Sequence, residues 1–349
     1  MTLPVVFRCN ASSRVGLGHL MRCREMARLL TEAGHACTIV GPSEDLREPN
    51  DDTLFVRWIP MSGEQGPEQD ARDFIAICRE AGAVHAVMDD YRVDPAYQAS
   101  LKAQGIRFMQ QFDASKPWDF HADIIVNSSP YERAEDYATY VKNPDAQLLL
   151  GPKYAVLRPE FSELDIRPAG RPVRRILVSF GGGDDLGAIR LTLDALADTA
   201  GAEGVTAVIV SGNSNPRNAE HAAHVATLPP GRAEFHIHPK NVAVLMNCCD
   251  LVIIAGGTMS YEAALCTLPM VLIALAPNQL RPCRGWAEQT GAEMLGTVDT
   301  VTVEMIRDAL EALVSDTARR TDMALRGQAM VDKSGGQRLV SALLERDEI

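Results

Sequence analysis

The chain has 349 residues, 46% of them hydrophobic, with 46 acidic against 34 basic side chains and a formal net charge of −12. That length and apolar fraction allow two domains with cores of their own, and the acidic balance excludes a protein that coats nucleic acid through a basic face. Eight cysteines, at 9, 23, 37, 78, 248, 249, 266 and 283, form no CxxC pair and read as reduced core thiols; with no signal-peptide pattern and no long apolar run, a cytoplasmic monomer without stable membrane insertion is expected.

Pro4 to Cys9 reads as a short buried strand, and Leu20, Met21, Cys23, Met26, Ala27 and Leu30 follow at helical spacing. Gly16 and Gly18 precede His19 at the helix start. A histidine there can simply cap the helix or meet a carbonyl. The positive helix end also favours the neutral imidazole, whose acceptor nitrogen could take a proton from water.

Strand-like runs over 37–40, 83–88 and 124–126 then alternate with helical patterns, the signature of a parallel sheet with covering helices. Directly after the run at 83–88, Asp89-Asp90-Tyr91 places two carboxylates and a phenol at one edge. They suit sugar-hydroxyl recognition or general-base work, or form a solvated loop. From Leu148 to Phe161 the text becomes LLLGPKYAVLRPEF, and the polar, proline-bearing stretch 163–173 reads as a linker.

A second series opens with Arg175 to Phe180 and runs into Gly181-Gly182-Gly183-Asp184-Asp185, which either lines a diphosphate or is only a turn. Strands over 205–210, 251–255 and 270–274 and a helix over 242–246 follow. Ala255-Gly256-Gly257-Thr258-Met259-Ser260-Tyr261-Glu262 is the stronger signal. Two glycines permit close backbone approach, Thr258 or Ser260 can cap the next helix, and its N–H groups can seat a phosphate. Glu262 can accept from ribose hydroxyls, with Asn278-Gln279 at the same edge, or it is simply a solvated glutamate.

The halves thus suggest an α/β architecture of two Rossmann-like domains facing a cleft, over 1–162 and 174–330. The remainder, 331–349, carries a helix expected to pack back on the first domain, and two helical patterns span 301–349 with a break at Ser334-Gly335-Gly336. His221, His224, His236, His238, Cys248 and Cys249 match no common zinc spacing, so neither a metal nor another cofactor is expected.

Together these residues resemble a known family, the PseG hydrolases of pseudaminic acid biosynthesis. The likeness rests on Arg8, on Ala11-Ser12-Ser13 with Gly16, Gly18, His19, Arg22 and Cys23, and on Asp89 and Tyr91. It continues through Gly151 to Phe161, Gly181-Gly182, Asp250 to Glu262, Asn278-Gln279, and Val331 to Gly335 with Arg338. The resemblance implies the glycosyltransferase-B architecture and hydrolysis of UDP-2,4-diacetamido-2,4,6-trideoxy-beta-L-altropyranose to UDP and free sugar, with inversion. It implies that His19 activates the water, with Tyr91 and Asp89 beside it. Arg8, Asn10, Gly18, Arg22 and Asp90 would contact substrate on the sugar side. Gly181, Gly182, Ile237, Gly256, Gly257, Thr258, Ser260, Glu262, Asn278 and Gln279 would do so on the UDP side. The family pattern has aspartate at Asn10 and histidine at Asp90, so the departures fall on the sugar side. Alternatives are a glycosyltransferase of the same fold, a hydrolase of another nucleotide sugar, and a non-catalytic nucleotide-sugar-binding protein.

Overall fold

The computed structural model describes residues 3–11, 17–61, 65–112 and 118–345; Ser12, Ser13 and Gly16 of the first motif lie outside them. The chain divides into two compact units, Met1–Arg158 with Ser334–Ile349, and Pro159–Lys333.

In unit 1 the order is β1 (Val5–Cys9), α1 (Gly18–Glu32), β2 (Cys37–Gly41), α2 (Asp51–Leu54), β3 (Arg57–Pro60), α3 (Pro67–Ala81), β4 (His85–Asp89), α4 (Pro95–Ala103), β5 (Arg107–Gln111), β6 (Ile124–Asn127) and β7 (Gln147–Leu150). The strands form a parallel sheet ordered β3-β2-β1-β4-β5-β6-β7. Successive side chains of a strand point to opposite faces. Val5, Phe7 and Cys9 therefore join the core under α1, while Val6 joins Phe74, Cys78, Tyr97 and Leu101 under α3 and α4. Helix boundaries follow local chemistry. Pro67 opens α3 and Gly82, in the left-handed region at φ 65°, closes it; the Asp94 carboxylate accepts from the Tyr97 amide to start α4.

Unit 2 runs β8 (Arg175–Ser179), α5 (Ala188–Asp198), β9 (Thr206–Ser211), α6 (Asn218–Val225), β10 (Ala233–Ile237), α7 (Val242–Asn247), β11 (Leu251–Ile254), α8 (Met259–Leu265), β12 (Met270–Ala274), α9 (Leu280–Thr290), β13 (Glu293–Thr297), α10 (Val303–Ser315) and α11 (Thr317–Met330). Its sheet, again parallel, is ordered β10-β9-β8-β11-β12-β13. The stretch 163–173 belongs to this unit. Arg171 ion-pairs with Asp250 at 3.0 Å, and the same carboxylate accepts from the amides of Arg174 and Arg175.

The chain ends in α12 (Gly335–Leu344), which packs on α1 in unit 1 through Leu339, Val340, Ala342 and Leu343. A Cβ on Gly335 would lie 2.1 Å from the Ala155 carbonyl oxygen, so only glycine lets this helix approach so closely. We expect Gly335→Ala to lower the melting temperature of unit 1, measured by calorimetry, through a clash costing about 1–3 kcal/mol.

Candidate active site

Both sheets are doubly wound, and in such sheets ligands bind beyond the carboxyl ends of the strands where the order reverses. In unit 1 that point lies between β1 and β4, and in unit 2 between β8 and β11. The residues after those four strands are Asn10, Asp90-Tyr91, Phe180-Gly181-Gly182 and Ala255-Gly256-Gly257. The Asp89 to Tyr91, Gly181-Gly182 and Gly256-Gly257 motifs therefore fall at the two switch points, while Ile237 ends β10 and Asn278-Gln279 follow β12.

At the unit 1 switch point Cys9 pairs with Asp89, and the Asn10 amide donates to the Asp89 carbonyl at 3.0 Å. His19 is buried in the first turn of α1, one turn before Arg22. Its Nδ1 lies 2.5 Å from Asp89 Oδ1. Arg22 holds the same carboxylate from the other side, with Nε 2.9 Å from Oδ2 and a second nitrogen 2.8 Å from Oδ1. Burial alone would raise the Asp89 carboxyl, but the Arg22 guanidinium and His19 hold it well below the usual carboxylate range. An ionised Asp89 accepts from Nδ1–H, so the basic lone pair of the neutral ring sits on Nε2. Tyr91 meets the imidazole edge-on, with ring centroids 4.9 Å apart at 79°. Gly18 precedes the histidine with open space where a Cβ would stand.

Two expected sugar contacts have a different place. Arg8 is fully buried, donates to both Asp70 oxygens at 2.9 and 2.5 Å and to the carbonyls of Cys9 and Val40, and pairs with Asp90 at 3.1 Å. Asp90, also buried, accepts from the Arg92 amide and guanidinium. Alternation explains this: Arg8 shares the Val6 face and points into the layer beneath α3. Neither side chain is presented at the surface; Asp90 fixes the turn that carries Tyr91, and Arg8 anchors Asp90. A Cβ on Gly41 would sit 2.2 Å from the Arg8 guanidinium, which is why β2 ends in glycine. Asp70 was not singled out in the sequence. Its signal is an acid on the stripe Asp70, Phe74, Cys78 of an amphipathic helix, which implies a buried partner.

At the unit 2 switch point Gly257 is half-buried, with open space where a Cβ would stand, whereas a Cβ on Gly256 would meet Cys283 Sγ at 2.5 Å and the Gln279 carbonyl at 2.9 Å. Gly256 thus lets the turn pack on the start of α9. The expected side-chain cap is absent. Thr258 sits at the start of α8 without a capping hydrogen bond, and the Ser260 hydroxyl donates to the Gly257 carbonyl while accepting from Trp286 Nε1 at 2.9 Å. Trp286 holds Ser260 in place, Gly256 is buried with its backbone against Cys283, and Gly257 is half-buried. Glu262 is buried in the first turn of α8. Gln279 Oε1 accepts from the Leu275 amide, and Asn278 is half-buried on the same short turn.

Gly181, with φ 96°, turns the chain out of β8, and Gly182 follows at half exposure. Ile237 ends β10 with 46% of its surface exposed, followed by His238 in the left-handed region at φ 47°, whose amide donates to the Ser211 carbonyl. Among the described residues no group of three or more His, Cys, Asp or Glu is placed to hold a metal ion, and no helix is long and apolar enough to cross a membrane.

No protein-family profile matches the chain. It is 22% identical over 293 residues, 84% of its length and 98% of the relative, to the UDP-2,4-diacetamido-2,4,6-trideoxy-beta-L-altropyranose hydrolase of Campylobacter jejuni. It is 25% identical over 194 residues, 55% of its length and 57% of the relative, to the spore coat polysaccharide biosynthesis protein SpsG of Bacillus subtilis. Among solved structures, MurG of Acinetobacter baumannii superposes with a TM-score of 0.70 at 14% identity, covering 98% of this chain and 99% of that one. With two parallel doubly wound sheets and solved glycosyltransferases among its structural neighbours, the chain has the glycosyltransferase-B fold.

Proposed function

We propose that the protein hydrolyses a UDP-activated diacetamido-trideoxy sugar, releasing UDP and the free sugar with inversion at the anomeric carbon. The observation that carries this reading is the His19, Asp89 and Arg22 cluster at the unit 1 switch point. Asp89 holds the imidazole in the tautomer whose Nε2 is basic, the second-position orienter that a general base needs. A base there suits a water nucleophile, and the similarity to the Campylobacter hydrolase agrees with it.

In the proposed reaction Nε2 of His19 takes a proton from water as the water oxygen bonds to C1. The bond from C1 to the diphosphate oxygen breaks and its electron pair leaves with UDP. Water is the only co-reactant, and attack opposite the leaving group inverts the centre. Unit 1 takes the sugar and the water, with Tyr91 placing one of them. Unit 2 takes UDP: the backbone of Gly256 and Gly257, with that of Gly181 and Gly182, receives the diphosphate and stabilises its departing charge. Glu262 accepts from the ribose hydroxyls, and Ile237, Asn278 and Gln279 complete the nucleotide edge. On this reading Glu262→Ala weakens UDP about tenfold by calorimetry, the scale of a lost hydrogen bond to a charged acceptor.

The test is incubation of the metal-free protein with UDP-2,4-diacetamido-2,4,6-trideoxy-beta-L-altropyranose, and with UDP-N-acetylglucosamine as control, following UDP and the sugar anomer by NMR. The expected result is UDP and inverted sugar from the first substrate alone. No release from either, with UDP still bound, would refute this sugar and leave another nucleotide sugar or a hydroxyl acceptor in its place.

A further inference from the structure

The loop from Gly181 to Gly187, which leaves β8 at the unit 2 switch point, is unusually constrained for an exposed turn. Gly181, Leu186 and Gly187 all lie in the left-handed region, at φ 96°, 53° and 90°. For leucine that conformation is strained and persists only where surrounding contacts impose it. A Cβ on Gly212 would come within 2.5 Å of Gly182, so the loop backbone lies directly on the end of β9.

Most of the side-chain contacts that hold this shape come from residues 215–221. Asp185 in the loop is buried, and its carboxylate accepts from Asn215 Nδ2 at 2.9 Å and from His221 Nε2 at 2.9 Å on Oδ1, and from the Ile189 amide at 2.9 Å on Oδ2. Asn215 Nδ2 also donates to the Ser211 hydroxyl at 3.0 Å. Nearer the surface, Asp184 accepts from the Leu186 amide and pairs with Arg217 at 3.0 Å. Burial would push the Asp185 carboxyl up, but His221, the Ile189 amide and Asn215 hold it below the usual range.

His221 itself is buried against Phe235, and its Nδ1 meets no partner among the described residues. Burying an imidazole with one nitrogen unpaired is costly. Its polar contact is the one to Asp185, so the ring is placed to serve that carboxylate.

We propose that His221 and Asn215 are positioning residues which, through Asp185, hold the β8–α5 loop in the shape that presents its backbone to a nucleotide diphosphate. The proposal rests on the UDP reading of unit 2 and assigns the anchoring of its loop. Without those two donors the Asp185 carboxylate stays buried beside the diphosphate seat with the Ile189 amide as its remaining donor. The loop then relaxes from its strained form, and nucleotide affinity and stabilisation of the departing diphosphate both fall, while the base of unit 1 is untouched.

The experiment compares wild type, His221→Phe and His221→Gln by UDP calorimetry, steady-state kinetics and thermal unfolding. For His221→Phe we expect the UDP Kd to rise about tenfold, the scale of one hydrogen bond to a buried carboxylate, and kcat to fall with it, because the same loop backbone stabilises the departing diphosphate. His221→Gln, whose amide can donate to Asp185, recovers most of that affinity. Unchanged Kd in His221→Phe would overturn the proposal. So would equal losses in both variants that follow only their melting temperatures. Should His221→Phe fail to fold, Asn215→Ala removes the other side-chain donor, and a wild-type Kd there overturns the proposal too. A wild type that binds no UDP would refute the nucleotide reading itself, and with it this role for the loop.

Discussion

Replacing His19 by alanine is expected to lower release of UDP from its sugar by roughly 10²–10⁴-fold, the usual contribution of a general base, while the UDP Kd moves by less than about twofold. The separation follows from where each group stands. His19 and Asp89 lie at the switch point of unit 1, and the proposed UDP residues Gly256, Gly257 and Glu262 lie at that of unit 2. Asp89→Asn should cost a comparable factor for a different reason. The carboxylate accepts from Nδ1–H and is itself held by Arg22. An amide turning its NH₂ toward the ring reverses that bond, moves the ring proton to Nε2 and removes the acceptor from the nitrogen that must take the water proton. Single-turnover rates and UDP calorimetry on both variants decide the matter. If His19→Ala and Glu262→Ala lose UDP affinity equally, the assignment of base and nucleotide to separate units is wrong.

The architecture was legible where the chain is apolar and illegible where it is not. The central strands β1, β4, β8 and β11 are runs such as Val-Val-Phe and Leu-Val-Ile-Ile, buried on both faces, and parallel strands of that kind announce themselves. All four edge strands, β3, β7, β10 and β13, went unread. An edge strand needs less continuous burial and tolerates residues such as those of Arg-Trp-Ile-Pro or Ala-Glu-Phe-His-Ile. Interior β5 was hidden by the polar ends of Arg-Phe-Met-Gln-Gln. The C-terminal stretch read as two helices is three, because Asp316 ends α10 and also caps α11, its carboxylate accepting from the Arg319 amide. No glycine or proline marks that break.

At the candidate site the turns were readable and their supports were not. His19 and the glycine pairs follow strands, Asp89 ends one, and position alone recommends them. Ser260 reads as a cap in one dimension, yet three-dimensional packing brings Trp286, 26 residues on, to its hydroxyl. His221 reads as a stray metal candidate until the fold brings it 2.9 Å from Asp185, 36 residues earlier. Long-range pairs of this kind leave no local pattern, apart from the occasional acid on an apolar helical stripe.

Asp70 is such an acid, and its loss should be the most destabilising single change in unit 1. Asp70→Ala leaves the Arg8 guanidinium fully buried with Asp90 as its carboxylate partner, already shared with Arg92, and strips the Tyr97 hydroxyl of its acceptor at 2.9 Å. Breaking a buried ion pair from one side costs about 3–5 kcal/mol, which for a unit of this size lowers the melting temperature by roughly 6–20 °C. The double variant Arg8→Met with Asp70→Leu should recover much of the loss, since an apolar pair of similar volume carries no unpaired charge. Acid provides the independent check. Burial pushes the Asp70 carboxyl up, but Arg8 and Tyr97 outweigh it and hold the group below its ordinary value. A depressed folded-state value means that the stability from this pair is complete above about pH 4, the unfolded value, and drains as the pH falls through the folded one. The gap in melting temperature between wild type and Asp70→Ala should therefore stay constant from pH 7 to about 5 and narrow below about 4. A gap of the same width at both ends would mean that Asp70 acts by packing, and that Arg8 is held by something other than its charge.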